Sequence, residues 1–359
     1  MSAITVESRS LPRDGAGPGL IGLAERGLLP DSLLRHGIRR MCRARLHEEQ
    51  TGGPAAQAAR HARYINALRH SAVAIETDAA NIQHYELPTE FFRLCLGPRL
   101  KYSSCWFPRG DETLAEAEEA MLTLYCERAE LANGQHILEL GCGWGSLTLW
   151  MAERYPSARI TAVSYSMRQR EFIEDECHRR GISNVHVVTC DVNVLDLPHG
   201  QFDRCVSIEM FEHMRNYQLL MQRIADWLAP GGKLFVHTFA HRTLLYPFET
   251  EGADNWMGRH FFTGGQMPAA DTLLHFQNHL HIQQRWLIDG THYQKSANLW
   301  LARQDAQREK IMVALREAYG DHARLWFQRW RMFWMACAEL FGYAGGRAWM
   351  VAHYLFAKP

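Results

Sequence analysis

The chain has 359 residues, enough for one large α/β domain with a helical extension. Its 47% hydrophobic content allows a sizeable core, and 39 basic against 39 acidic residues give a formal charge of zero. That balance excludes the basic excess of a nucleic-acid binder and any global pull toward anionic lipid. No apolar run approaches the roughly 18 residues of a membrane span. Nine scattered cysteines, without a CxxC pair, predict free thiols and a cytoplasmic, reducing setting.

In chain order, residues 1–18 mix Ser, Arg, Asp, Gly and Pro without an apolar stretch and are expected to form a disordered leader. A helical cap and acceptor-entrance segment is expected over 19–130. Within it Leu33, Leu34, Ile38, Met41, Cys42 and Leu46 keep helical spacing. Arg35, Arg39, Arg40, Arg43, Arg45 and His47 form a basic face, read as solvated. Thr113 to Glu116 has the spacing of a capping box for a helix running to about Ala129. From His136 the pattern alternates. Strands are predicted over 137–140, 160–164, 185–190, 202–208 and 233–239, with helices from Ser146, over 168–180 and over 217–228. This alternation predicts a doubly wound parallel sheet with helices on both faces, the core occupying 131–359. Residues 240–275 form an insert after the fifth strand. Strand character returns at 280–287 and 351–356, around one long helical stretch at 297–341.

The turn after the first strand reads Glu139-Leu140-Gly141-Cys142-Gly143-Trp144-Gly145. Glycines there let backbone approach a ligand closely. A dinucleotide fold would place its third glycine at 146, which is Ser, and a pyrophosphate disfavours Glu139 as a neighbour. The cationic groups of S-adenosyl-L-methionine suit Glu139, so that cofactor is predicted. The second strand ends without a carboxylate, which leaves Ser164 and Gln169 as its polar groups. The third ends in Asp191 beside Val192, and Asp191 reads either as an adenine partner or as a helix N-cap. All fall at the carboxyl ends of strands, where parallel sheets bind ligands.

The fourth strand runs into Glu209-Met210-Phe211-Glu212-His213-Met214. Two carboxylates and an imidazole there suit acid–base work or stabilisation of a cation; the structural alternative makes His213 a helix cap. HExxH is absent and no metal is expected. An alkylamine, protonated up to a pKa of about 10.4 like Lys, has no lone pair to attack a methyl group. A site for it must desolvate the amine and supply a base. Trp326, Trp330, Phe333 and Trp334 lie on neighbouring faces of one helix. Aromatic faces attract a cation by roughly 0.5–2 kcal/mol each.

The runs Gln83-His84-Tyr85-Glu86-Leu87-Pro88 and Leu100-Lys101-Tyr102-Ser103-Ser104-Cys105-Trp106-Phe107 resemble the cyclopropane fatty acid synthase superfamily of methyltransferases, as do the glycine loop and Phe211-Glu212-His213. Within it the chain looks most like the coclaurine N-methyltransferase-like enzymes, through Trp330-Arg331-x-Phe333, Phe341-Gly342-Tyr343, Trp349-Met350-x-x-His353 and the stretches 113–118, 124–129 and 209–217. The resemblance implies a class I, Rossmann-like fold with a doubly wound seven-stranded sheet, an N-terminal helical cap and an insert after the fifth strand. It implies Tyr102 and Ser103 at the methionine part of the donor with Gly141 and Gly143, Tyr165 and Gln169 at the ribose, and Asp191 at the adenine. It makes Glu209, Glu212 and His213 the catalytic cluster beside an amine nitrogen and puts Tyr85, Trp330 and Phe333 around the acceptor, and His237 and Tyr293 are also expected to bind the substrate.

Lipid members of the superfamily hold a bicarbonate base with a Cys, a Glu, a His and a Tyr. The matching positions are Ser104, Glu212, His237 and Tyr293. The amine enzymes carry Glu and Phe where this chain has His237 and Tyr293, while Glu209 replaces the lipid enzymes' Gly. The resulting expectation is transfer of a methyl group to the nitrogen of a small aromatic or alkaloid-like amine, with Glu/His-assisted deprotonation and no bicarbonate. The alternative is cyclopropane or methyl-branch formation on unsaturated acyl chains. The expected partner is a small-molecule amine, with neither nucleic acid nor membrane; a homodimer is left open.

Overall fold

Alternate residues of each central strand belong to different cores. Ile137, Val206 and Phe235 pack into one, and Leu138, Cys205, Leu234 and Val236 into the other. Side chains on a strand alternate in direction, so a strand apolar on both faces must be covered on both sides. The computed structural model describes residues 15–17, 19–76, 87–252 and 255–359. Tyr85 and residues 1–14 of the expected leader lie outside the described residues. Residues 15–17 of that leader touch the core: Arg329 donates to the Gly15 carbonyl at 3.0 Å, and the Gly17 N–H donates to Glu25 at 2.5 Å.

The main sheet has the order β3-β2-β1-β4-β5-β9-β8. Its strands are β1 His136–Leu140, β2 Arg159–Ser164, β3 Val185–Thr189, β4 Phe202–Ile208, β5 Leu228–His241, β8 His281–Ile288 and β9 Trp349–Ala357. β1 to β5 run parallel, and β9 is antiparallel to both neighbours. The predicted seven-stranded, doubly wound sheet is therefore present. Strand order reverses between β1 and β4, which opens a crevice at their carboxyl ends. Helices α6 Ser146–Arg154, α7 Met167–Arg180 and α8 Tyr217–Trp227 connect the parallel strands. The insert carries a second small sheet, β6 Tyr246–Pro247 with β7 Gln266–Met267, and helix α9 Trp256–His260.

The N-terminal cap contains α1 Gly19–Glu25, α2 Asp31–Gln50, α3 Gly53–Arg69, α4 Thr89–Cys95 and α5 Leu114–Arg128. The Thr113 capping box at the start of α5 has both of its reciprocal bonds. The basic face of α2 differs from the solvated reading. Arg35 and Arg39 both reach Glu339, at 2.8 and 2.6 Å, while Leu33 and Met41 are 51% and 42% exposed. Among the described residues no helix is long and apolar enough to cross a membrane.

The long stretch 297–341 is not one helix. It belongs to α10 Thr291–Ala306, α11 Arg308–Tyr319 and α12 Ala323–Phe341. Gly320, at φ 56° and ψ −126°, leaves helical space and turns the chain back. The buried Gln304 then bridges α10 to α12: it accepts from the Trp334 indole N–H at 2.6 Å and donates to the Phe327 carbonyl at 2.8 Å.

Candidate active site

Every residue predicted for the donor lines one cavity at the carboxyl ends of β1, β2, β3 and β4. Gly141 has φ +77°, and a Cβ there would stand 2.9 Å from Met210, so only glycine fits. At Gly143, φ +53°, a Cβ would meet no atom within 4 Å, so the backbone is bare toward open space. Glu139 is buried beneath this loop and accepts from Thr148 Oγ1 at 2.5 Å. Burial pushes its carboxyl up to about 8. Ser164 donates to Gln169 Oε1 at 2.6 Å, and the buried Gln169 Nε2 has no hydrogen-bond partner among the described residues. That leaves an amide donor for a ligand hydroxyl. Asp191 closes a tight turn by accepting from the Asn193 N–H at 2.7 Å; no helix follows it, so the N-cap alternative falls. Asn193 in turn bonds both backbone groups of Ala74, at 3.0 and 3.2 Å, and ties the cap to the cavity rim beside Ile75. Sequence reasoning missed Asn193 because nothing local marks a bond spanning 119 residues.

A second cavity lies between the insert and α12. Phe239, Phe248, Phe262, Phe333 and Phe341 line it with Tyr293, Trp300, Met257 and Met267. Tyr102, Glu209 and His213 line both cavities, so the two meet there. Glu212 lines only the second. Trp330 and His237, both expected to bind the acceptor, line neither cavity: His237 is fully buried behind Glu209, and Trp330 is fully buried, packed on Phe91 at 4.8 Å and Phe261 at 5.0 Å. Phe333, one turn on, stacks on Phe261 at 4.3 Å and reaches the cavity wall. Trp330→Ala should therefore destabilise the fold by about 3–5 kcal/mol in urea denaturation. A loss below about 1 kcal/mol would contradict a core role.

The carboxylates at the junction differ in their surroundings. Glu209 accepts from the Ser104 N–H at 3.0 Å, from Tyr293 OH at 2.7 Å, and has His237 Nε2 at 3.0 Å. Ser104, His237 and Tyr293 are three of the positions that match the lipid enzymes' bicarbonate ligands, and here they surround a side-chain carboxylate. Glu209 also has φ 48°, a left-handed conformation uncommon outside glycine. Glu212 is fully buried, takes one bond from Thr238 Oγ1 at 3.1 Å, and its Oε1 has no partner among the described residues. Burial raises both carboxyls. The donors and Lys101 draw charge to Glu209, and repulsion from Glu209 holds Glu212 well above the carboxylate range. These surroundings favour the charged form at Glu209 over Glu212. Burial pushes His213 down to about 4, a neutral imidazole stacked on Phe262 at 5.3 Å.

Residues 74–346 match the mycolic acid cyclopropane synthetase family. The chain belongs to this family. Its relatives include the (S)-coclaurine N-methyltransferase of Thalictrum flavum subsp. glaucum, 38% identical over 344 residues that cover 94% of this chain and 95% of the relative. A crystal structure of coclaurine N-methyltransferase bound to N-methylheliamine and SAH superposes with a TM-score of 0.90 at 36% identity, covering 94% and 98% of the two chains. The cyclopropane synthase MmaA2 from Mycobacterium tuberculosis, at 24% identity and a TM-score of 0.67 over 79% and 99%, shares the fold. This member of the family is an N-methyltransferase, and S-adenosylmethionine is its methyl donor.

Proposed function

We propose that the enzyme methylates the nitrogen of an alkaloid-like amine carried on an aromatic ring system. The observation that carries this reading is the junction, where Glu209 and His213 border both the donor cavity and an aromatic chamber. S-adenosylmethionine supplies an electrophilic methyl group when bound; Gly141, Gly143, Glu139, Gln169 and Asp191 hold it. The aromatic walls and the Glu209 carboxylate attract the ammonium form of the acceptor. An ordinary carboxylate lies about six pKa units below an alkylamine and is a poor match for its proton. The raised Glu212 narrows that gap, and the apolar chamber lowers the amine from the other side. An arriving ammonium drives the Glu212 proton out to solvent, and the freed carboxylate then takes a proton from the substrate nitrogen; this bares the lone pair for the methyl group, and the product leaves as an ammonium. His213 orients the nitrogen as a neutral ring.

Labelled donor with separate panels of benzylisoquinoline-type amines and unsaturated phospholipid vesicles tests the acceptor class. Amines should be labelled, and turnover should be the same in bicarbonate-depleted buffer under inert gas. Labelled acyl chains, or collapse of turnover without bicarbonate, would replace this reading with the lipid-type reaction, which the kept His237 and Tyr293 favour. Phe333→Ala should raise acceptor KM with little change in kcat, as expected for uniform binding.

Donor binding has its own test. With Glu139 pushed up to about 8, most of the free enzyme holds that carboxyl protonated at pH 7. An ammonium beside it favours the carboxylate, so donor binding should release up to about one proton. Calorimetry in buffers of different ionisation enthalpy reads that number. It should vanish in Glu139→Gln, which should also bind the donor more weakly. Equal apparent heats in all buffers would remove Glu139 from the ammonium.

A further inference from the structure

Behind Glu209, His237 on β5 is fully buried, and its ring joins a hydrogen-bond chain. Its Nε2 faces Glu209 Oε1 at 3.0 Å. Its Nδ1 lies 2.8 Å from His353 Nε2 on β9 and 3.0 Å from the Tyr125 hydroxyl on α5. His353 Nδ1 is 2.7 Å from a guanidinium nitrogen of Arg128, which is half-buried over the Trp286 ring at 4.7 Å. Lys101 Nζ donates to Ser103 Oγ and to the Ser104 carbonyl, both at 2.6 Å, and lies 4.9 Å over the Tyr125 ring.

The Arg128 end of the chain carries only donors. Arg128 can bond His353 Nδ1 only if that nitrogen is bare, so the neutral ring carries its hydrogen on Nε2 and donates it to His237 Nδ1. The Tyr125 hydroxyl, a donor as well as an acceptor, faces the same Nδ1 and can donate to it. His237 is left with its hydrogen on Nε2, aimed at the carboxylate.

We propose that Arg128 is a positioning residue that fixes the tautomer of His237, making the imidazole a donor that holds Glu209 as the anion facing the acceptor nitrogen. Arg128 touches neither cavity and acts wholly through the two rings. If Nε2 were bare, its lone pair would oppose the Glu209 oxygen, and the carboxyl could keep that contact only by taking a proton. Burial, with Lys101 and Arg128 nearby, keeps His237 neutral. Glu209 also faces His213, Tyr293 and the thiols of Cys105 and Cys337. Both thiols are pushed up by burial and stay neutral.

The inference rests on Glu209 being the charged member of its pair, and it can be read without any amine. In the full chain labelled with ¹⁵N-histidine, His237 and His353 should each show a protonated Nε2 and a bare Nδ1, unchanged over about pH 6 to 8.5. Arg128→Gln replaces a donor-only group by an amide that can also accept, and should give a mixture of tautomers. Its acid limb of kcat/KM should move about one pH unit upward, with about a tenfold loss near pH 7 carried mostly by KM. Arg128→Lys keeps a donor-only end and should keep the wild-type profile. A proton on His237 Nδ1 in the wild type overturns the proposal. So does a folded Arg128→Gln with unchanged tautomers and pH profile. Failure of the wild type to methylate any amine would instead strike the functional reading, while the spectrum still reports on the tautomer.

Discussion

Glu209→Gly should lower turnover by about 10²–10⁴-fold while leaving the protein folded, and formate or acetate in the assay should restore part of the loss. Glu209 occupies a left-handed backbone position at φ 48°, a conformation that costs of order 1–3 kcal/mol for a residue with a side chain. The surroundings hold it there: Ser104, His237 and Tyr293 bind its two oxygens. Glycine removes the backbone strain and the carboxylate together. It also leaves the donors without an acceptor, and each unsatisfied buried polar group costs about 1–3 kcal/mol. A small carboxylate entering the space regains those bonds and returns the negative charge to its place beside the substrate nitrogen. Rescue should saturate with added anion and should fail with chloride at equal ionic strength. Full activity in Glu209→Gly without any anion would show that the charge is not needed. If bicarbonate alone rescued, the restored site would be using a base of the lipid-enzyme kind.

Local signals were enough for much of this architecture, and the rest depends on distant neighbours. The strand at 202–208 is bounded as its pattern predicts, and the Thr113 cap was legible from four residues. The break at Gln307 carries neither Gly nor Pro. Apolar spacing therefore ran on from the first helix into the second, while Gly320, which ends the second, was a local break signal that sequence reasoning missed. Trp330 and Phe333 share one helix and one family motif. Only the packing of Phe261 between them decides that one is core and the other wall. The Glu209/Glu212 cluster was visible at the end of a strand, but the spacing of three says nothing about which carboxyl is charged. That depends on donors from positions 104, 237 and 293, and on a chain that joins Arg128 to His353 across 225 residues. No window of sequence contains those partners together.

Glu212→Gln should be as stable as the wild type or more so, and yet lose turnover by about 10²–10⁴-fold. In the free enzyme burial and the neighbouring Glu209 favour the protonated form of Glu212, so an amide of the same shape replaces a group held toward neutrality and still accepts from Thr238. The sign of the stability effect follows from the raised carboxyl. A group whose folded pKa lies above its unfolded value gives its full stabilisation below the unfolded value, near 4.5, and loses it as pH rises toward the folded value. The share of wild-type stability due to Glu212 should therefore decline from about pH 4.5 upward, with Glu139 adding to that slope until about 8, against the opposite slope of the buried neutral histidines below about 6.5. Gln removes the share due to Glu212, so the variant's advantage should grow with pH in urea titrations at acid, neutral and mildly alkaline pH. Turnover moves the opposite way, because an amide cannot ionise beside an arriving ammonium and then take its proton. Donor affinity should be nearly unchanged, since Glu212 does not line the donor cavity. Activity within tenfold of the wild type would transfer the proton to Glu209 or His213, the other two groups at the junction.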